Sequence, residues 1–218
     1  MPAAWATDLL LAKSWEPHIT SAVNVPGWTT NVQHRNYEDL VNILPKNPKV
    51  LEIGCGWGRS TWAWLDVLPD TTEYHILDNF SMPYWALRKS VFMVRANINY
   101  KQLKRIYKQN IAQREIFDVI IKQHPKQHLI KKVWHMPGEE WKSCEDYTTE
   151  WDLVYLDDDH SYLTVNNWLE RFTNVPIVCG DDYHPSHAGV VSAVDEYDKN
   201  TDFTKQILPG NFWVIKNT

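Results

Sequence analysis

Short apolar segments alternate along the chain with segments in which apolar residues recur every three or four positions. The short runs predict strands, and the longer repeat predicts amphipathic helices. Strands are predicted at the run from Val50 to Glu52 and at Tyr74–Asp78, Leu129–Met136, Trp151–Leu156, Val175–Cys179, Phe203–Leu208 and Phe212–Lys216. Helices are predicted at Asn36–Leu44, from Ser60 or Thr61 to Leu68, at Trp85–Tyr100, at Lys101–Gln123, and around the apolar stripes Val165–Phe172 and Val190–Tyr197.

The alternation of strands and helices is typical of a parallel sheet, because parallel neighbours need a crossover connection. The last two predicted strands flank a short turn at Pro209-Gly210, which indicates an antiparallel edge. We therefore predict an α/β fold with a Rossmann-like, mostly parallel, seven-stranded sheet and helices on both faces. The 218 residues fit one domain. In this domain, residues 1–45 form an N-terminal arm with a helix, and residues 79–132 form a helical insertion between the second and third strands.

The basic residues are concentrated in that insertion. Residues 79–132 contain twelve of the 22 Lys and Arg residues but two of the 27 acidic residues, although the net charge of the chain is −5. Two interpretations stay open: these are solvated faces of helices, or they form a surface for an anionic partner such as a phosphorylated substrate or nucleic acid.

The overall composition indicates a globular protein, with 44% hydrophobic and 22% charged residues. No apolar stretch approaches the ~20 residues that a membrane span needs, so no membrane association is expected. The N-terminus has no basic region before its apolar run, which argues against a secretory signal. Cys55, Cys144 and Cys179 are scattered, as expected for reduced thiols in the cytoplasm.

A glycine-rich loop follows the first predicted strand. Glu52 ends the apolar run, and Gly54, Gly56 and Gly58 allow a ligand to approach the backbone closely. Asp78 ends the second predicted strand, where a carboxylate can accept hydrogen bonds from both hydroxyls of a ribose. No Lys-Ser/Thr pair follows the glycines, which disfavours a nucleoside triphosphatase. The loop and the acid together predict a nucleotide pocket, and a structural turn with a capping aspartate is the alternative.

Acidic residues also follow the fourth and fifth predicted strands. Asp157 ends the fourth, and Asp181 and Asp182 follow the fifth, so they are expected to meet at the carboxyl edge of the sheet. Three carboxylates in a cleft repel one another unless a cation binds, and an oxygen-only set favours Mg²⁺, Ca²⁺ or Mn²⁺. His160 is placed to take a proton from a substrate hydroxyl. The alternative is that these acids cap helices that start near Ser161 and Pro185.

Both motifs resemble the class I S-adenosylmethionine methyltransferases, whose acid and glycine turn match Glu52–Gly58 and whose second acid matches Asp78. The segment Leu156–Tyr162 and the later acidic pair are similar to the metal-dependent O-methyltransferases with a D-G-D-H-x-Y signature, which act on antibiotic sugars and catechols. Asp158 stands where that signature has glycine. The resemblance implies cofactor contacts from Glu52, Gly54, Cys55, Gly56, Trp57, Gly58, Ser60, Thr61, Asp78, Asn79, Gly138, Glu139 and Asp157.

The same resemblance implies a metal, for which we expect Mg²⁺, held by Asp157, Asp181 and Asp182, with His160 as the catalytic base. His184 and His187 flank the acidic pair, but histidines in a proline-containing surface loop are more often neither ligands nor substrate contacts. The expected function is methylation of a hydroxyl on a small molecule or sugar. The basic insertion would suit an acceptor that carries negative charge. A homo-oligomer is possible on this sequence.

Three other functions are weighed against this expectation. The first is a metal-independent methyltransferase that acts on nitrogen or on nucleic acid through the basic insertion, although we do not expect nucleic acid to be the substrate. The second is a subunit that binds S-adenosylmethionine without turnover. The third is a nicotinamide-dependent dehydrogenase, which the GxGxG spacing disfavours because classical dinucleotide binders have GxGxxG.

Overall fold

The computed structural model describes residues 19–82, 86, 112–141 and 149–216. The chain divides into two compact units. The sheet unit comprises Thr30–Cys55, Val67–Asn79 and Leu129–Thr218, and the helical unit comprises Met1–Thr29, Gly56–Asp66 and Phe80–His128. The single domain expected from the length stays a prediction.

The described strands and the longer helices alternate as the apolar pattern predicts. In chain order they are α1 (Asn31–Val41), β1 (Lys49–Ile53), α2 (Arg59–Val67), β2 (Glu73–Asp78), α3 (Gln113–Ile121), β3 (Ile130–His135), α4 (Gly138–Trp141), β4 (Leu153–Leu156), α5 (Tyr162–Arg171), β5 (Ile177–Gly180), α6 (Ala188–Asn200), β6 (Thr204–Leu208) and β7 (Phe212–Lys216). No helix in this part of the chain combines the length and the apolar character that crossing a bilayer requires.

All seven strands belong to one sheet in the sheet unit, in the order β3-β2-β1-β4-β5-β7-β6. Strands β1 to β5 run parallel, whereas β7 is antiparallel to both β5 and β6. The predicted mostly parallel, Rossmann-like sheet with an antiparallel C-terminal edge is confirmed. The strand order changes direction at β1, because β2 and β3 lie on one side of it and β4 on the other. Ligands of open α/β sheets bind beside such a point, at the carboxyl ends of the strands.

Helices cover both faces of this sheet, as predicted. On one face, apolar residues of the strands form a buried cluster with residues of α4, α5 and α6, including Trp141, Trp168 and Val194. On the opposite face, the Tyr37 ring of α1 makes edge contacts with Tyr155 and with Phe212, at centroid distances of 5.7 and 5.6 Å. Burial of large apolar side chains on both faces is the main stabilising contribution to this fold.

The predicted boundaries of the first helix, Asn36–Leu44, are wrong. Helix α1 begins at Asn31 because Thr30 caps it: Gln33 N donates to the Thr30 hydroxyl, and Thr30 N donates to Gln33 Oε1. This reciprocal pair is a capping box. Asn36, the predicted cap, lies inside the helix, where its buried side chain donates to the carbonyl of Pro209 at 2.8 Å.

The helical unit shows a break in a predicted helix. Ala112 has an extended backbone with a ψ of 147°, so the helix predicted over Lys101–Gln123 does not continue through it, and α3 starts afresh at Gln113. An extended residue cannot extend the helical hydrogen-bond ladder. Most of the predicted helix Trp85–Tyr100 and the chain up to residue 111 lie outside the described residues. Residues 130–132, the predicted end of the insertion, already belong to β3.

Candidate active site

The carboxyl ends of β1, β2, β4 and β5 lie side by side. The register pairs Ile53 with Leu77 and with Leu156, and Leu156 with Gly180. The residues that end or follow these strands therefore share one edge of the sheet: Gly54, Asp78, Asp157 and Asp181. The structure thus brings together residues that are more than a hundred positions apart in the sequence.

Gly54 is packed directly against the turn that follows β4. Its φ is +87°, and its N–H donates to the carbonyl of Leu77 at 2.9 Å. A Cβ atom at this position would overlap the carbonyl group of Asp157. The N–H of Asp157 in turn donates to the carbonyl of Ile53 at 2.8 Å. Only glycine satisfies both the backbone conformation and the space, so the start of the loop and the Asp157 turn are fixed relative to each other.

We expect Gly54→Ala to destabilise the protein more than Gly210→Ala does. Gly210 also has a positive φ, +83°, but a Cβ there would meet side-chain atoms of Gln33 and Val32 at 3.2 Å or more. Both variants bear the strain of a left-handed residue, about 1–2 kcal/mol, and the clash with the Asp157 backbone is added in Gly54→Ala alone. Urea unfolding measures the two free energies. Equal losses would contradict the close contact between Gly54 and Asp157.

The predicted cofactor acids occupy different environments. Glu52 is fully buried, and its Oε2 accepts a hydrogen bond from the Tyr74 hydroxyl at 2.9 Å. Asp78 is half-buried at the end of β2. Asp158, which stands where the signature has glycine, lies close enough to Asp78 that repulsion between them, after burial, raises the pKa of Asp158. Glu52 thus sits beneath the loop, and Asp78 and Asp158 form an acidic pair at the edge of the sheet.

Two acids in the turn between β4 and α5 have different partners: Asp159 bonds to residues of the helix cap, and Asp157 does not. Ser161 caps α5, and Asp159 accepts hydrogen bonds from the hydroxyls of Ser161 and Thr164 at 2.8 and 3.0 Å. These bonds lower the pKa of Asp159. Asp157 takes no part in this cap. The cap of α5 is thus Ser161, supported by Asp159, and capping does not account for Asp157.

Asp157 contacts a tyrosine on one side and a histidine on the other. Its Oδ2 accepts a hydrogen bond from the Tyr155 hydroxyl at 3.3 Å, and its Oδ1 lies 3.6 Å from His160 Nε2. Burial raises the pKa of Asp157, and the contact with His160 opposes that effect. The contact with Asp157 raises the pKa of His160, against the effect of its burial. The two side chains form the carboxylate–imidazole pair that a base and its partner require.

Asp181 and Asp182 follow β5 in a strained turn. Asp182 has a φ of +63°, which is uncommon for a residue with a side chain, and its N–H donates to Asp181 Oδ1 at 2.6 Å. Asp182 Oδ2 lies 3.1 Å from His160 Nε2, and its Oδ1 lies 3.7 Å from His187 Nε2. Burial, followed by repulsion from Asp157 and Asp182, raises the pKa of Asp181. The carboxylates are therefore crowded enough to stabilise a cation.

The donor set fits a divalent cation. Among the described residues, possible ligand atoms of His160, Asp182 and His187 all lie within 4.8 Å of one another. His160 Nε2 is buried and makes no well-directed hydrogen bond. Within the described part of the chain, no Lys or Arg forms an ion pair with Asp157, Asp181 or Asp182. Asp182 is the member of the predicted oxygen-only set that belongs to this group. The ligand atoms of Asp157 and Asp181 are not part of it, so the set of Asp157, Asp181 and Asp182 stays a prediction.

The sequence does not indicate three residues of the site, which are His187, Gln33 and Tyr37. The sequence favours a surface role for His187, but the turn Pro185–His187 brings it to Asp182, and the rings of His187 and His160 meet edge to face at 4.6 Å. Gly189 allows this approach, because a Cβ there would overlap the His160 carbonyl. From α1, Gln33 lies beside Asp181, and Tyr37 is connected to Asp157 through the Tyr155 hydroxyl. The Thr30-x-x-Gln33 capping-box pattern would have placed that helix correctly.

The remaining predicted cofactor residues are distributed over both units. In the sheet unit, Cys55 is buried, Asn79 is exposed, and Gly138 and Glu139 open the short helix α4, where Gly138 packs against the Trp168 ring. In the helical unit, Trp57 packs on Trp28 at a centroid distance of 5.9 Å, Gly56 and Gly58 have positive φ, and Ser60 and Thr61 are buried in α2. Their roles toward a cofactor stay predictions.

Comparison with known proteins identifies the fold. No protein-family model and no curated protein matches the sequence. A Klebsiella pneumoniae protein provisionally described as an O-methyltransferase matches with a TM-score of 0.54 and 13% identity over 99% of this chain and 90% of that one. The O-methyltransferase TomG of Streptomyces achromogenes, solved with S-adenosylmethionine, matches with a TM-score of 0.51 and 12% identity over 100% of this chain and 91% of that one. This chain has the class I methyltransferase fold.

A third structure agrees with this assignment of the fold. The O-methyltransferase of Bacillus cereus, solved with S-adenosylhomocysteine, matches with a TM-score of 0.51 and 13% identity over 100% of this chain and 92% of that one. At such identities the likeness concerns the fold alone, and chemistry has to be argued from the residues of the site.

Proposed function

We propose that the protein is an S-adenosylmethionine-dependent O-methyltransferase that methylates a hydroxyl of a small molecule or sugar with the help of a divalent cation. The observation that carries this proposal is the meeting of Asp157, His160, Asp181 and Asp182 at the carboxyl edge of a methyltransferase sheet, beside Gly54, which follows β1. No helix cap or ion pair with Lys or Arg among the described residues accounts for this arrangement.

The cofactor end of the site rests on Gly54 and Asp78. Gly54 turns the chain after β1 with a positive φ. Asp78 ends the neighbouring strand, and we assign its carboxylate to the ribose hydroxyls. The sulfonium of S-adenosylmethionine supplies an already activated methyl group. The protein therefore needs to orient donor and acceptor and to exclude water, which is the usual contribution of positioning to catalysis.

The acceptor end rests on His160 and the carboxylates. His160 Nε2 lies 3.6 Å from Asp157 and 3.1 Å from Asp182, so the negative charge favours a proton on Nε2. In that tautomer Nδ1 is the atom that takes the proton of the acceptor hydroxyl. A divalent cation at Asp157, Asp181 and Asp182 would make that hydroxyl more acidic. The enzyme then combines a base with electrostatic stabilisation of the developing negative charge.

The first test of the proposal is binding of S-adenosylhomocysteine, measured by calorimetry on the wild type and on Asp78→Asn. Loss of charged hydrogen bonds to the ribose, about 1.5–3 kcal/mol, is expected to weaken binding about 10–100-fold. Glu73→Gln is the matched control, because Glu73 is the exposed acid at the other end of β2. Equal affinities of Asp78→Asn and the wild type would contradict the assignment of Asp78.

A methyl-transfer assay with radiolabelled S-adenosylmethionine and a panel of sugars, catechols, amines and oligonucleotides tests the reaction. Transfer to hydroxyls supports the proposal. Transfer to amines or oligonucleotides would indicate the metal-independent alternative, and cofactor binding without transfer to any acceptor would indicate a non-catalytic subunit. Binding of NAD in place of S-adenosylhomocysteine would indicate a dehydrogenase.

A further inference from the structure

Helix α1 lies on the sheet face opposite the α5 and α6 helices and directs two side chains at the strand-end acids. Gln33 and Tyr37 are one helical turn apart, so they lie on the same face of α1. Gln33 is 3% exposed and Tyr37 is fully buried. Polar groups at such depth are hydrogen-bonded in native proteins, so their partners indicate what they do.

Tyr37 is connected to Asp157 through a second tyrosine. Its hydroxyl donates to the Tyr155 hydroxyl at 3.3 Å, and the Tyr155 hydroxyl donates to Asp157 Oδ2 at 3.3 Å. The two rings are fixed by edge contact with each other, and Tyr155 also stacks on Phe212 at an interplanar angle of 12°. Rigid rings leave the hydroxyls little freedom, so the chain of hydrogen bonds restricts the orientation of the Asp157 carboxylate.

Gln33 lies beside a strand-end acid as well as in the helix cap. Its Oε1 accepts from the N–H and the hydroxyl of Thr30 at 2.6 and 2.8 Å. Its side chain is also close enough to the Asp181 carboxylate to lower the pKa of that acid, against the larger effect of burial. Oε1 is engaged by Thr30 and a carboxylate only accepts, so the amide nitrogen is the group of Gln33 that can donate to Asp181. The bond from the Thr30 N–H therefore holds the Gln33 amide beside Asp181.

We propose that Gln33 and Tyr37 are positioning residues of the strand-end site, which fix the carboxylates of Asp181 and Asp157 for the cation and for His160. This inference rests on the proposed function. Neither residue needs to contact a substrate. Groups that orient ligands are typically worth about 10–100-fold in metal affinity or activity.

Two conservative variants test the inference, Tyr37→Phe and Gln33→Met. Tyr37→Phe keeps the ring packing and removes the hydroxyl, and Gln33→Met keeps the length and removes the amide. Thr30→Ala is the matched control for Gln33, because it removes the hydroxyl from the same capping box and keeps the Thr30 N–H that bonds to Gln33 Oε1. Each protein is measured for Mn²⁺ affinity by calorimetry, for kcat and the KM of S-adenosylmethionine, and for Tm.

We expect Gln33→Met and Tyr37→Phe each to lower Mn²⁺ affinity or kcat by about tenfold, with the KM of S-adenosylmethionine unchanged. Thr30→Ala is expected to lower Tm as Gln33→Met does and to leave Mn²⁺ affinity and kcat at wild-type values. The double variant Tyr37→Phe/Tyr155→Phe is expected to have the same Mn²⁺ affinity and kcat as Tyr155→Phe, because both hydroxyls act through one contact with Asp157.

Wild-type Mn²⁺ affinity and kcat in both conservative variants would overturn the inference and leave the proposed function standing. Equal losses in Thr30→Ala and Gln33→Met would also overturn it for Gln33, because the effect would then come from helix stability. A wild-type protein that neither binds Mn²⁺ nor transfers methyl groups would overturn the proposed function, and this inference with it.

Discussion

Replacing His160 by alanine is expected to lower kcat by about 10²–10⁴-fold, the usual contribution of a positioned base. The imidazole lies between the carboxylates of Asp157 and Asp182, at 3.6 and 3.1 Å, and no other described histidine contacts Asp157. Truncation removes the proton acceptor and leaves the turn after β1 and Asp78 unchanged. Affinity for S-adenosylhomocysteine is therefore expected to stay near the wild-type value.

His184→Ala is the matched control for that experiment. His184 lies in the neighbouring loop, is exposed, and bonds to Ser186 through Nδ1 rather than to an acid. We expect this variant to turn over at the wild-type rate. If His160→Ala keeps the wild-type kcat with an acceptor that the wild type methylates, His160 is not the base.

Replacing Asp182 by asparagine is expected to weaken binding of Mg²⁺ by about 100-fold or more, since even residues that only orient a ligand typically contribute about 10–100-fold. Asp182 belongs to the predicted carboxylate set and also to the group with His160 and His187 whose ligand atoms lie within 4.8 Å. The expected loss therefore holds whichever of these residues completes the coordination. Calorimetry with Mg²⁺ on the apo protein measures it without recourse to activity.

Asp159→Asn serves as the control, because Asp159 is in the same acidic run but bonds to Ser161 and Thr164. It is expected to bind Mg²⁺ as the wild type does. His187→Ala is expected to keep Mg²⁺ binding if the ligands are oxygens alone, and a loss would instead assign a nitrogen ligand.

EDTA is expected to abolish methyl transfer, and added Mg²⁺ to restore it. Full activity in EDTA would contradict a role for the cation.

The fold was predictable because its signals are local. All seven strands occur where apolar runs predict them, and Phe212–Lys216 has its predicted bounds. The acids after β4 and β5 could also be placed at one edge, because the carboxyl ends of parallel neighbours coincide. Local periodicity and topology are sufficient for both conclusions.

The parts of the site that depend on contacts distant in sequence were not predictable in the same way. Asn36 looked like a helix cap, but its amide is taken by Pro209, a partner that no local pattern shows. His187 was judged a surface histidine, and its approach to Asp182 depends on the close packing of Gly189 on the backbone of His160. Tyr155, the partner of Tyr37, lies 118 residues further along the chain, and Asp181, beside Gln33, follows the still later strand β5.

The contact of Gly54 with the Asp157 peptide has a consequence for how such an enzyme changes its acceptor. The methyl donor and the proton acceptor would be anchored at the ends of two neighbouring strands that meet at this contact, so substitutions there disturb both partners of the reaction at once. Laboratory selection for altered acceptors should accordingly leave positions 54 and 157 untouched.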